Sequence, residues 1–366
     1  MKIIFLIIIF SSLFFIFGFL SSPNFDFSSI LNYSNLNSDP VEFNSNIYLD
    51  SFDVESIIHI TNENDVLEKR NNLFHFIFKN STTYNRMPNE ILEDINDKTY
   101  ENISNLKKID QFTINMDYNV NSISYLFHPK NSNNKLIIYH EGHAGDFESG
   151  KNSIEYFIDN GFTVIAFSMP LLGKNSNPVV EYESVGMIKL IDHDQLMFLD
   201  SHSFSSMKFF IEPIMISLNY IDSKYNFETY SMVGISGGGW TTSLYSAIDE
   251  RIHNSFSIAG SYPIFLKNHP KHVGDYEQLN PELLKITNYL DLYILSSVGD
   301  NRSHYQIFIK NDSCCFGDGQ FSYYEKILTQ KIDNLKGNFK IIEDDSTSKH
   351  EISTKILKLI TKNISK

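Results

Sequence analysis

Residues 230–246, YSMVGISGGGWTTSLYS, constrain this chain more than any other stretch. An apolar, β-leaning run through Ser231, Met232 and Val233 leads into Gly234-Ile235-Ser236-Gly237-Gly238-Gly239, and helical spacing follows. The chain must therefore reverse sharply at Ser236, from strand through a tight turn into helix. The pattern is G-x-S-x-G, in which small residues two before and two after the serine let strand and helix approach closely. A serine so placed presents its hydroxyl from a strained turn. The backbone N–H of Gly237 lies beside it, and the positive end of the helix dipole lies behind. A glycine-rich turn with an incidental serine has the same letters; a strand before and a helix after set the two apart.

The rest of the chain supplies that context. Residues 111–117 and 122–128 alternate apolar and polar around Tyr118-Asn119-Val120-Asn121, which reads as an antiparallel hairpin. KLIIYH at 135–140 is a short apolar run of the buried-strand kind, and 162–168 (FTVIAFS) is a second, with a helix expected over 153–160 between them. Helical spacing over 206–220 continues despite Pro213, and a strand over 254–259 follows the serine turn and its helix. LDLYILSS at 290–297 reads as another buried strand, ending in Val298-Gly299-Asp300. A helix over 321–334, a strand over 339–342, a polar loop holding His350 and a helix over 351–360 complete the chain. Strands alternating with helices predict an α/β architecture: a mostly parallel central sheet with helices on both faces, from about residue 109 to 366. Residues 171–204 and 262–287 interrupt the alternation as insertions. Residues 23–108 read as a tether and an irregular or helical segment, with 66–79 its helical part.

On these residues the chain resembles the α/β-hydrolase superfamily of serine esterases and peptidases, and looks nearest to carbohydrate esterases and dienelactone-hydrolase relatives. The resemblance implies a triad in the order nucleophile, acid, histidine, each at or beyond the C-terminal end of a strand. It assigns the nucleophile to Ser236, the acid to Asp300 after the 290–297 run, and the base to His350. Asp312 and Asp318 in the next loop, and Asp344 and Asp345 nearer His350, are the other acids within range. The separation of Asp300 from His350 is long for the superfamily. The oxyanion hole would take the N–H of Gly237 and, from the loop after 135–140, that of His143, although Glu141 stands where the superfamily more often carries histidine. Such a site cleaves an ester or amide through an acyl-enzyme and needs no cofactor. Ester cleavage is favoured over peptide cleavage, because the region ahead of the catalytic domain is too short for a peptidase propeller. The substrate would be a small molecule or a glycan ester.

A chain of 366 residues, 42% hydrophobic and 14% aromatic, is that of a folded protein. The net charge of -14, with no basic cluster against it, excludes nucleic acid and anionic lipid as main partners. Residues 1–20, MKIIFLIIIFSSLFFIFGFL, form a nearly uninterrupted apolar run behind Lys2, which marks residues 1–22 as an export or membrane signal. The run is long enough to span a bilayer and lacks a small-x-small cleavage site. It reads as a membrane anchor with the domain outside the cytoplasm; a cleaved signal would export the domain as well. Asn-x-Ser/Thr at Asn32, Asn80, Asn102, Asn301, Asn311 and Asn363 fits chance in an asparagine-rich chain. The two cysteines, Cys314 and Cys315, are adjacent and read first as two small loop residues, since neighbouring cysteines rarely bond each other, with a vicinal disulfide in the exported domain as the second reading.

Other functional classes carry their own residues. A silent hydrolase fold could serve as a binding module, which an intact Ser, Asp and His set argues against. A metal-dependent hydrolase could use His140 and His143 or the run Asp192-His193-Asp194 with His202. His140-Glu141-x-His143 resembles H-E-x-x-H, but its histidines are three apart and end a strand instead of lying on a helix.

Overall fold

A computed structural model describes residues 49–183, 185–267, 274–317 and 319–365. The first helix, α1 (Glu63–Phe78), opens with a capping box in which Asn62 and Asp65 each satisfy the other's backbone. Strand β1 (Glu90–Leu92) lies beside β2 (Leu106–Asn115), and β2 forms the expected hairpin with β3 (Asn121–Pro129). Then come β4 (Lys135–His140), α2 (Lys151–Asp159) and β5 (Thr163–Phe167). A small antiparallel pair, β6 (Val179–Tyr182) and β7 (Gly186–Lys189), rises from the first insertion. Next are α3 (Lys208–Lys224), β8 (Thr229–Ile235), α4 (Gly237–Ile248) and β9 (Ile252–Ile258). The second insertion contributes α5 (Tyr276–Leu279) and α6 (Pro281–Ile286), followed by α7 (Tyr289–Ser297). The chain closes with β10 (Ser303–Ile309), α8 (Glu325–Asn334), β11 (Phe339–Asp344) and α9 (Thr354–Ile364).

The main sheet runs β1-β2-β3-β5-β4-β8-β9-β10-β11. It is antiparallel from β1 to β5 and parallel from β5 to β11. Every residue of β5 is buried, as a parallel strand covered on both faces requires. The sheet reaches back to Glu90, upstream of the boundary expected near residue 109.

One expected strand is a helix. Residues 290–297 lie in α7, all nine of whose residues are buried. A helix covered on every side has no polar face, so its sequence carries no 3.6-residue period and looks like a buried strand. The Asn288 side chain caps its start by accepting from the Asp291 N–H at 2.9 Å. The strand that occupies this place in the sheet is β10, thirteen residues later in its first position than Leu290.

Two arginines lock this region. Arg302, almost wholly buried, donates to the carbonyls of Ile252, Leu295, Val298 and Ser246, which include the C-terminal turns of both α4 and α7. Arg70 on α1 donates to Ala247 O at 3.0 Å and Leu295 O at 3.1 Å, and pairs with Glu250 at 2.6 Å. Cys314 and Cys315 are bonded to each other, against the first sequence reading. Among the described residues no helix is long and apolar enough to cross a membrane, and the apolar run at 1–20 lies outside them.

Candidate active site

Ser236 stands between β8 and α4 with φ 56° and ψ -126°, a left-handed backbone that a serine adopts only when its surroundings impose it. The glycines around it explain why. A methyl group on Gly234 would meet Gly238 O at 2.1 Å, and one on Gly238 would meet His140 O at 2.1 Å. The helix therefore enters directly against β8 and the end of β4, and the Ser236 N–H is held by Ile258 O on β9 at 2.9 Å. A methyl group on Gly142 would lie 2.5 Å from Ser236 Cβ, so the loop after β4 passes immediately over the serine.

His350 follows β11. Its Nδ1 faces both oxygens of Asp312, at 3.0 and 2.9 Å, and the Asp312 carboxylate is completely screened from solvent. Two carboxylate oxygens at one ring nitrogen require the proton there, which leaves Nε2 of the neutral ring with its lone pair. Nε2 is buried and has no hydrogen-bond partner among the described residues. Asp312 is shaped by its own loop: it accepts from the Cys314 N–H at 2.9 Å, and Gly317 approaches so closely that a methyl group would lie 2.6 Å from Asp312 N.

The acid expected at Asp300 is thus a correction. Asp300 is exposed in the turn between α7 and β10, before the strand instead of after it, and Asp312 is the aspartate that meets His350. The error follows from reading α7 as a strand. Asp318 lies outside the described residues. Asp344 accepts from the Ser346 hydroxyl at 2.6 Å, and Asp345 pairs with Lys355 at 2.5 Å.

Gly237 is the first residue of α4, where an N–H has no acceptor within the helix. In the β4 loop the Gly142 N–H is taken by Glu141 Oε1 at 3.0 Å, whereas the His143 N–H donates to no backbone acceptor among the described residues. The His143 ring packs against Gly237, with Cε1 2.5 Å from where a methyl group would sit. Sequence reading gave Glu141 no role; it is buried, and burial raises its carboxyl despite bonds from Tyr139 OH at 2.6 Å and from the Gly142 N–H.

The histidine and aspartate runs separate. His140 closes onto Glu141 O at 2.9 Å, and burial lowers its imidazole to about 4, so it stays neutral and away from His143. Asp192 caps its own turn by accepting from the Asp194 N–H, and Asp194 and His202 are exposed. Only His193 turns inward. Its Nδ1 lies 3.1 Å from His143 Nε2 and 3.2 Å from Glu277 Oε2, and Nε2 lies 2.9 Å from Pro170 O. Burial alone would raise the Glu277 carboxyl, but the two imidazoles facing it hold it at about 2. Glu277, in the second insertion, carried no signal in sequence.

No family model and no curated protein matches the chain. Solved structures match it in fold. An acetyl xylan esterase from Thermoanaerobacterium sp. JW/SL YS485 is 14% identical with a TM-score of 0.54, over 86% of this chain and 98% of the other. An acetyl xylan esterase from Paenibacillus sp. R4 is 13% identical with a TM-score of 0.55, over 86% and 99%. A methylesterase is 12% identical with a TM-score of 0.58, over 88% and 67%. The chain has the α/β-hydrolase fold of these proteins.

Proposed function

We propose that this protein is an exported serine hydrolase that cleaves esters. Ser236 attacks the ester carbonyl while Nε2 of His350 takes its proton and returns it to the leaving alcohol. Asp312 keeps the other ring proton on Nδ1 and balances the imidazolium that forms. The N–H groups of Gly237 and His143 receive the oxyanion, and water then releases the acyl group. The observation that carries this reading is the Asp312–His350 pair with its unpartnered Nε2, in the loops that follow β10 and β11 of the parallel sheet, whose strand β8 leads into the strained Ser236. That the structural neighbours are acetyl xylan esterases and a methylesterase favours a small acyl or alkyl ester, such as one carried on a glycan, over an amide. Export, and membrane attachment if the segment is retained, rest on residues 1–22.

Fluorophosphonate labelling of the full-length chain tests this. The adduct is expected on Ser236 and is expected to vanish in Ser236→Ala and His350→Ala. A folded wild type that takes no label would reject the mechanism.

A further inference from the structure

Three side chains from three separate parts of the chain converge beside the serine turn. His143 comes from the loop after β4, His193 from the first insertion and Glu277 from the second. His143 Nε2 lies 3.1 Å from His193 Nδ1 and 3.1 Å from Glu277 Oε1, and His193 Nδ1 lies 3.2 Å from Glu277 Oε2, so that ligand atoms of all three side chains fall within 4.8 Å of one another. Zinc bonds to nitrogen and oxygen of ~2.0–2.1 Å in a tetrahedral site imply ligand-to-ligand edges of about 3.3 Å. Each of these separations is therefore close to the edge of such a site, and one carboxylate oxygen is available to each imidazole.

The hydrogen bonding of His193 points the same way. Nε2 of His193 sits at hydrogen-bond distance from Pro170 O, so its N–H is committed there and Nδ1 is turned toward the cluster. A metal-bound histidine commonly donates its second N–H to a backbone carbonyl in this way. Protons alone leave the cluster incomplete: Glu277 is 0% exposed, yet its Oε1 has no hydrogen-bond partner, although it lies 3.1 Å from His143 Nε2. A buried carboxylate oxygen without a donor is costly. Asp275 Oδ2, half exposed, lies 3.5 Å from His143 Nε2 on the rim of the cluster.

We propose that His143, His193 and Glu277 bind one divalent transition-metal ion, zinc by the donor set, with water in the fourth position. Two imidazoles and a carboxylate are zinc ligands, whereas oxygen-only sets suit calcium and magnesium. The ion fastens both insertions to the loop that crosses Ser236. It holds the His143 ring against Gly237 and adds positive charge beside the turn.

The full-length protein, stripped with chelator and dialysed, is titrated with cobalt(II) and with zinc. The expected result is one equivalent of cobalt per chain, with the visible absorption of a tetrahedral site and displacement by zinc. Stoichiometric binding is expected to be lost in His193→Ala and Glu277→Gln, and kept in Ser236→Ala. X-ray absorption on the zinc-loaded wild type needs no variant and is expected to give only nitrogen and oxygen neighbours, two of them imidazoles. No uptake by the wild type, a shell containing sulfur, or folded variants that bind as the wild type does would overturn the proposal. Because the readout is metal uptake, its outcome is separate from whether Ser236 takes a fluorophosphonate.

Discussion

Asp312 meets Nδ1 of His350 with both carboxylate oxygens, at 3.0 and 2.9 Å, from a position 38 residues earlier in the chain. One acid thereby fixes both the ring's orientation and the nitrogen that carries its proton. Asp312→Asn is expected to lower kcat/KM by roughly 10³–10⁴-fold with the fold retained, as loss of an orienting carboxylate does in serine hydrolases. Asp300→Asn, altering an exposed turn, is expected to stay within about two-fold of wild type. Ester-hydrolysis kinetics on the two variants decide it, and equal losses would remove the distinction.

Gly142 leaves no room for a side chain over the serine. In Gly142→Ala the new methyl group would start 2.5 Å from Ser236 Cβ and 2.8 Å from Ile235 O, so the loop or the serine must move. A displacement of the order of an ångström is expected to slow fluorophosphonate labelling about 10²-fold. Labelling at the wild-type rate would mean the loop yields without disturbing Ser236.

Arg302 satisfies carbonyls at the ends of two helices, sharing that of Leu295 with Arg70. Arg302→Met keeps much of the side-chain volume but removes the donors to Ile252, Leu295, Val298 and Ser246. It also removes a positive charge from the negative ends of α4 and α7. A loss of about 2–4 kcal/mol in unfolding free energy is expected, read from the urea midpoint. An unchanged midpoint would show that the carbonyls find other donors.

Asp110 gives the protein an acid-sensitive joint in the antiparallel part of the sheet. Burial raises its carboxyl, but bonds from His128 at 2.8 Å, Lys108 at 2.9 Å and the Asp94 N–H at 3.0 Å outweigh this and hold it at about 2. A carboxyl lowered on folding stabilises the protein above its unfolded value, and that contribution is lost as pH falls toward about 2. The wild type is expected to lose about 2 kcal/mol more than Asp110→Asn between pH 6 and pH 2. Parallel acid-denaturation curves for the two proteins would contradict this.

The sequence made the serine turn, the hairpin before it and most of the alternation legible, because each carries a local signal: glycines at the turn, period two in the hairpin, apolar runs in the parallel strands. His350, singled out by its place in the strand order, lies in the loop after β11 against Asp312. Asp312 was within range in sequence but stood behind Asp300, because α7 is buried on every face and the strand count slipped by one element. The convergence of His193 and Glu277 had no local signal. Which insertion side chains meet is decided by loop paths, and neither residue type nor spacing encodes those.

The bonds from Arg70 reach past the boundary that the sequence pattern suggests. They tie α1, which precedes the whole sheet in the chain, to carbonyls at the ends of α4 and α7, so the helix is a structural support of the segment that follows Ser236. A protease-resistant core should therefore begin upstream of Glu63, and a fragment trimmed to the first strand of the hairpin should lose solubility although it keeps Ser236, Asp312 and His350.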